Sequence, residues 1–192
     1  GADPVARTRL LALAAELDTA RPATATELTI RALTRMIIAM PPSTDKVAEA
    51  KARSQKDFLV TPELGIYWYA FNMQVPPFND VRVRKAFTMV GSRQEMADKI
   101  TQSGQIPASA LTPAFAGYVP PVGYKENEEQ AKKLLADAGY PGGKGFPTVK
   151  LLYNTSSTHK KIAEYWQQRF EQVLGVKIEI VNQEWATYLE TR

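Results

Sequence analysis

The chain has 192 residues, 44% of them hydrophobic, with 3 Trp, 8 Tyr and 7 Phe and a formal net charge of +4 from 24 basic against 20 acidic side chains. That length suits one ample domain or two small ones, the balance excludes disordered and membrane classes, and no run reaches the ~18 apolar residues of a bilayer span. Basic residues are spread along the chain, which argues against a nucleic-acid partner, and the lack of cysteine excludes disulfides, thiolate nucleophiles and Cys-held metals without deciding the compartment.

Residues 1–57 hold 13 alanines, no aromatic residue and no glycine after Gly1, whereas every aromatic lies from Phe58 onward. The expected division is therefore an alanine-rich, mainly helical segment 1–57 and a domain 58–192 that carries most of the core, because large rings supply most buried apolar area. Leu10, Leu13, Ala14 and Leu17 form a helical stripe over 4–17. Residues 26–40 half-fit both helix and strand, and Pro41-Pro42 ends them. A polar helix over 45–55, capped by Ser43 or Thr44, should bury Val47 and Ala50.

Residues 64–72, Leu-Gly-Ile-Tyr-Trp-Tyr-Ala-Phe-Asn, alternate as a strand does. Tyr67 and Tyr69 then share one face and Trp68 takes the other. One face belongs to the core; the other either stacks on a ligand or, more commonly, is covered by a neighbouring element. Asp80 should cap a helix to about Val90 and Ser92 a second toward Ile100, with Gly91 as the break. The Pro- and Gly-rich stretch 104–125 reads as a loop long enough to suggest function or docking.

From Asn127 a helix runs to Ala138, closed by Gly139, and Pro141-Gly142-Gly143 makes a turn. A strand over 148–154, a helix over 157–174 capped by Ser157 and stopped by Gly175, and a strand over 176–182 then form a β-α-β unit. Its strands should share a sheet, parallel if adjacent or split by another strand. A last helix begins near Gln183 and has scarcely two turns at Arg192, an end that suggests a truncated chain.

The sole histidine is His159, and no metal-binding spacing surrounds it, so metal chemistry is not indicated. A hydrolytic triad would need His159 as base and a GxSxG elbow, and no such elbow exists; a hydrolase acting through His159 stays as a rival reading. Neither GxGxxG nor GxxxxGK[ST] occurs. Gly139, Gly142, Gly143 and Gly145 lie between helix and strand, the reverse of the phosphate-binding order, and read as a connector. No cofactor is called for. His159 falls in the first helical turn after strand 148–154, at the carboxyl end of a sheet strand where α/β ligands gather; the plainer alternative is a solvated imidazole beside Lys160 and Lys161. Arg192 and these lysines suit a carboxylate ligand, although helix charges are usually just solvated.

Beyond these patterns, five strings resemble the periplasmic oligopeptide-binding proteins of extracellular solute-binding family 5. They are GIYWYAFN at 65–72, PPFNDVRVRKAF at 76–87, NEEQAKKLLADAGY at 127–140, LLYNTSSTHKKIAEYW at 151–166 and GVKIEIVNQEW at 175–185. The resemblance spans about 58–192 and implies an α/β, periplasmic-binding-protein-like lobe with a mixed sheet flanked by helices, truncated. In that family two lobes close over an extended peptide, gripping its main chain and ends while wet pockets accept varied side chains.

The resemblance thus implies a receptor and not an enzyme. It would serve an ABC importer, with oligopeptides and a membrane permease as partners, in a periplasmic or extracellular location with membrane association left open. It implies no nucleic acid and no transmembrane span. His159 and Arg192 resemble basic residues that receive the peptide's C-terminal end or side chains, and Trp68 lies on a strand resembling one that lines the cleft. Glu63 stands where close relatives carry a tyrosine, and Thr101 where some carry a lysine for the peptide carboxylate, so preferred peptide length should differ. The chain ends before the family's tryptophan- and aspartate-bearing segment that clamps the peptide amino terminus, and residues 1–40 depart from the family's aromatic, strand-rich sequence. A non-binding fragment of such a receptor is the other alternative.

Overall fold

The computed structural model describes residues 65–108 and 117–192, together with Glu49 and Ala52, both helical. All of these lie in one compact unit, Ser43–Arg192. The expectations for 4–17 and 26–40, most of 45–55, Glu63 and the middle of the 104–125 loop lie outside the described residues.

In chain order the described elements are helix α1 (Val81–Met89), helix α2 (Arg93–Glu95) running into a π-helix (Met96–Thr101), helix α3 (Glu128–Asp137) and a 3-10 turn (Pro141–Gly143). Strand β1 (Val149–Asn154), helix α4 (Ser157–Leu174), strand β2 (Ile178–Gln183) and helix α5 (Trp185–Thr191) complete them. The helices start where short polar side chains can satisfy their free N–H groups. Asp80 accepts from the Arg82 amide at 2.7 Å, Ser92 Oγ from Glu95 at 3.1 Å, and Asn127 from Gln130 at 3.0 Å. For α4 the cap is Ser156 and not Ser157: its extended backbone aims Oγ at the His159 amide, so the helix begins one residue before the expected cap would allow.

The two strands pair side by side and parallel, from Val149 opposite Ile178 to Asn154 opposite Gln183. Of the two arrangements open in the sequence, the adjacent one is realised, with α4 as the crossover. The described sheet consists of these two strands. Residues 65–72, expected as a strand, form no ladder among the described residues. Their alternation holds only in part: Tyr69 and Phe71 are half-buried against the fold while Trp68, Ala70 and Asn72 are exposed, but Ile66 is half-buried and Tyr67 is 44% exposed, meeting the fold through its ring against Tyr69 and His159. Period-2 burial records which face meets the core, whereas a ladder also requires a neighbouring strand, and no described segment supplies one.

The main core is built by α1, which buries Val83, Ala86, Phe87 and Val90 at the spacing of one helical face, against Ala131 and Leu135 of α3 and Leu174, Val176 and Ile178. Phe87 is its centre, ringed by Phe71, Phe78, Phe146 and Phe170 at centroid distances of 4.7–6.1 Å. A second cluster, Ile162, Tyr165 and Trp166, lies along α4 and receives Tyr69, Met96 and Ile100. Polar contacts fix the helices to one another. Tyr165 hydroxyl donates to the Ser92 carbonyl at 2.9 Å, Arg169 pairs with Glu128, and the Asn127 amide donates to the Met89 carbonyl at 2.9 Å.

Gly91 joins α1 to α2 at φ +75°, a conformation that costs a side chain strain. A Cβ there would also stand 2.6 Å from Cζ3 of the buried Trp166 ring. Gly91→Ala should therefore destabilise the chain by about 2 kcal/mol or more, read as a lowered urea midpoint at unchanged slope; an unchanged midpoint would contradict the packing described.

Candidate ligand-binding site

Because β1 and β2 run in the same direction, their carboxyl ends meet at one edge of the sheet, where the crevices of α/β folds lie. The Thr155 amide donates to the Gln183 carbonyl at 2.8 Å and Asn182 Nδ2 to Thr155 Oγ1 at 3.0 Å, so this edge is braced by its own polar groups. Helix α4 starts from it and helix α5 follows directly after β2, packing on both strands.

His159 is the third residue of α4 and half-buried. Its Nδ1 lies 3.1 Å from the Tyr67 hydroxyl, and the two rings stack at 5.4 Å with 30° between their planes. Tyr67 in turn meets Tyr69 edge to face at 5.7 Å. Burial holds the imidazole below its usual range, and the positive end of α4 acts in the same direction. The ring is therefore neutral at pH 7. Burial raises the Tyr67 phenol and, more strongly, that of Tyr69, so both keep their protons. The Tyr69 hydroxyl is buried and forms no hydrogen bond of good geometry among the described residues, interacting only loosely with Tyr67.

On α5 the side chains at 185, 188 and 192 fall on one face. Trp185 stacks on Tyr188 at 5.8 Å, and the Arg192 guanidinium sits 5.8 Å from the Tyr188 ring centroid. Tyr188 lies near enough to Tyr67 and Tyr69 to oppose the ionisation of each, which sets α5 near the two phenols. Trp185 and Leu189 remain exposed.

The structure thus brings His159 together with Tyr67 and sets Arg192 on the neighbouring helix. Trp68 adjoins Tyr67 in sequence but is turned outward, 59% exposed, with no ring contact to His159. Thr101 is only 3% exposed and its hydroxyl already serves Gln105 Oε1 at 2.7 Å, so it presents no open group to a ligand carboxylate. Glu63 lies outside the described residues. Trp185 and Tyr188 were not singled out in the sequence, although their i, i+3 spacing ahead of Arg192 at i+7 was a usable signal. No carboxylate contacts His159 among the described residues, so the hydrolase reading gains no support. No cluster of metal-ligating side chains and no helix long and apolar enough to cross a membrane occurs among them.

Comparison with known proteins places these features in context. The sequence model described as bacterial extracellular solute-binding proteins, family 5 Middle, matches residues 20–192. The chain is 42% identical over 140 residues to the periplasmic oligopeptide-binding protein OppA of Escherichia coli, covering 69% of this chain and 26% of that protein. It is 43% identical over 138 residues to the periplasmic murein peptide-binding protein MppA of the same organism, covering 68% and 26%. Among solved structures, an oligopeptide-binding protein of an ABC transporter from Borrelia burgdorferi superposes with a TM-score of 0.68 at 34% identity, covering 77% of this chain and 29% of the other. The chain therefore spans about a quarter of the length of the curated relatives it matches.

Two tryptophans should separate site from core. Trp68→Ala is expected to shift unfolding free energy by less than about 0.5 kcal/mol, whereas Trp166→Ala, 8% exposed, should cost about 3–5 kcal/mol; equal losses in paired denaturant melts would refute this placement. For His159, the folded imidazole binds a proton less readily than the unfolded one, so its stabilising effect is full above about pH 6.5 and declines as pH falls below it. Replacing it by Gln should flatten the fall in stability between about pH 7.5 and pH 5; an unaltered slope would show that the imidazole titrates freely.

Proposed function

Since the chain belongs to the bacterial extracellular solute-binding proteins of family 5, we propose that it forms part of a substrate-binding receptor that captures oligopeptides for an ABC importer. The observation that carries this reading is the identity of 42–43% to two periplasmic peptide-binding proteins over most of this chain. Its residues act by binding and not by transforming: a neutral imidazole, protonated phenols and an arginine supply donors for carbonyl and carboxylate oxygens. Such contacts go to the peptide main chain and its ends, which leaves side-chain identity largely unread.

In this reading His159 and Arg192 receive the carboxyl end or acidic side chains of the peptide, and Trp68, exposed on the segment that holds Tyr67, offers a surface for stacking. Glu63 borders the same segment in sequence. Thr101 takes no direct part, given its burial. The partner that receives the loaded peptide is a membrane permease, and the receptor works in the periplasm or outside the cell.

Titration calorimetry of the chain with tri- to pentapeptides tests this. Heat saturating at one site for several unrelated tripeptides, weakened about tenfold or more by Arg192→Ala through loss of a charge-assisted bond, is expected. No heat with any peptide would leave this chain a folded but non-binding part of a receptor.

A further inference from the structure

We infer that Tyr67 is a positioning residue for His159: its hydroxyl donates to Nδ1 and holds the imidazole as the tautomer protonated on Nε2, making a neutral ring a directed donor to a ligand oxygen. The donor role rests on the peptide-binding reading above; the tautomer does not.

Two assignments fit a phenol oxygen 3.1 Å from Nδ1. Either the phenol donates to the ring nitrogen or Nδ1–H donates to the phenol oxygen. A phenol is a good donor and a modest acceptor, because its oxygen lone pair is drawn into the ring, while the unprotonated imidazole nitrogen is a strong acceptor. The second arrangement would turn the phenol proton out to solvent, which Tyr67 reaches at 44% exposure, and would give up the stronger donor and acceptor pairing. The neighbouring Tyr69 hydroxyl forms no hydrogen bond of good geometry, and its interaction with Tyr67 is in the sense of a donor, which leaves the Tyr67 proton to Nδ1. The Tyr67 proton accordingly goes to Nδ1, and the ring proton to Nε2.

The surroundings keep the ring in that state. Burial disfavours the charged ring, and Lys160, next on α4, is 3.7 Å from Glu164. From the 65–72 segment the group that meets His159 is Tyr67, and from α5 Tyr188 lies near enough to Tyr67 to oppose its ionisation. The stacked contact at 5.4 Å restrains rotation of the imidazole, and a ring flip would replace Nδ1 by a carbon and break the bond. With its Nδ1 occupied, the imidazole has one polar atom left for a ligand, and that atom can only donate. A carbonyl or carboxylate oxygen is favoured over an ammonium or amide N–H, which gives the site a chemical direction.

His159 is the only histidine in the sequence, so nitrogen-15 spectra of the whole chain report this ring without assignment. Unliganded wild type at neutral pH should show a pyridine-type Nδ1 and a pyrrole-type Nε2; the reverse pattern would overturn the inference with no variant needed. Tyr67→Phe keeps the ring stack and removes the donor. It should mix the tautomers, raise the pH at which His159 protonates, since a bond that favoured the neutral form is gone, and weaken tri-alanine binding about tenfold, as expected for one lost hydrogen bond. Tyr69→Phe should leave the tautomer unchanged. Unaltered nitrogen signals in Tyr67→Phe would overturn the positioning role of Tyr67, and unaltered tri-alanine affinity would overturn the donor role while the receptor reading stands. Failure of wild type to bind tri-alanine or any other tri- to pentapeptide would defeat peptide binding by this chain and the donor role together, irrespective of the spectrum.

Discussion

The described structure depends on one element, helix α4, being held along its length by different neighbours. A parallel pair of strands cannot be joined by a hairpin; it needs a crossover, and α4 is that crossover. Once placed, its side chains organise the rest. Tyr165 fixes the start of α2, Trp166 covers Gly91, Arg169 reaches α3, and Phe170 joins the ring cluster around Phe87. The same helix presents His159 at its first turn. Its packing and its site are therefore one constraint: a shift of α4 that loosened Trp166 would also move the imidazole against Tyr67.

Much of this was legible because local chemistry and tertiary packing agree. Asp80, Ser92 and Asn127 announce helix starts and cap them, Gly175 ends α4 in a left-handed turn at φ +67°, and the β-α-β order follows from strand and helix periodicity in succession. The segment 65–72 was legible by half. Its alternation identified Tyr69 and Phe71 as inward but not the half-buried Ile66, and hydrogen-bonded pairing is a property of two segments and cannot be read from one. The serine cap failed by one position because Ser156 and Ser157 are chemically alike and only the backbone direction distinguishes them.

The site was less legible than the fold for a related reason. His159 stands out as the only histidine, and its position after a strand marks it for a crevice, but its partner lies 92 residues earlier. No spacing rule links the two. Thr101 illustrates the opposite difficulty: a polar residue expected near a ligand is instead enclosed, its hydroxyl engaged by Gln105 within the turn that ends the π-helix. Burial, which separates these two polar residues, depends on the whole fold.

The three tryptophans of the chain are unevenly housed. Trp166 is enclosed beneath the Gly91 turn, while Trp68 and Trp185 are each more than half open to solvent, one beside Tyr67 and the other on the face of α5 that carries Tyr188 and Arg192. The molecule consequently carries two native fluorophore populations. Short-wavelength emission belongs to the interior and reports whether the protein is folded; long-wavelength emission, open to quenching by iodide or acrylamide, belongs to the two exposed rings and reports changes in their surroundings. Surface events and integrity can be followed separately by choice of wavelength, without a dye or a label.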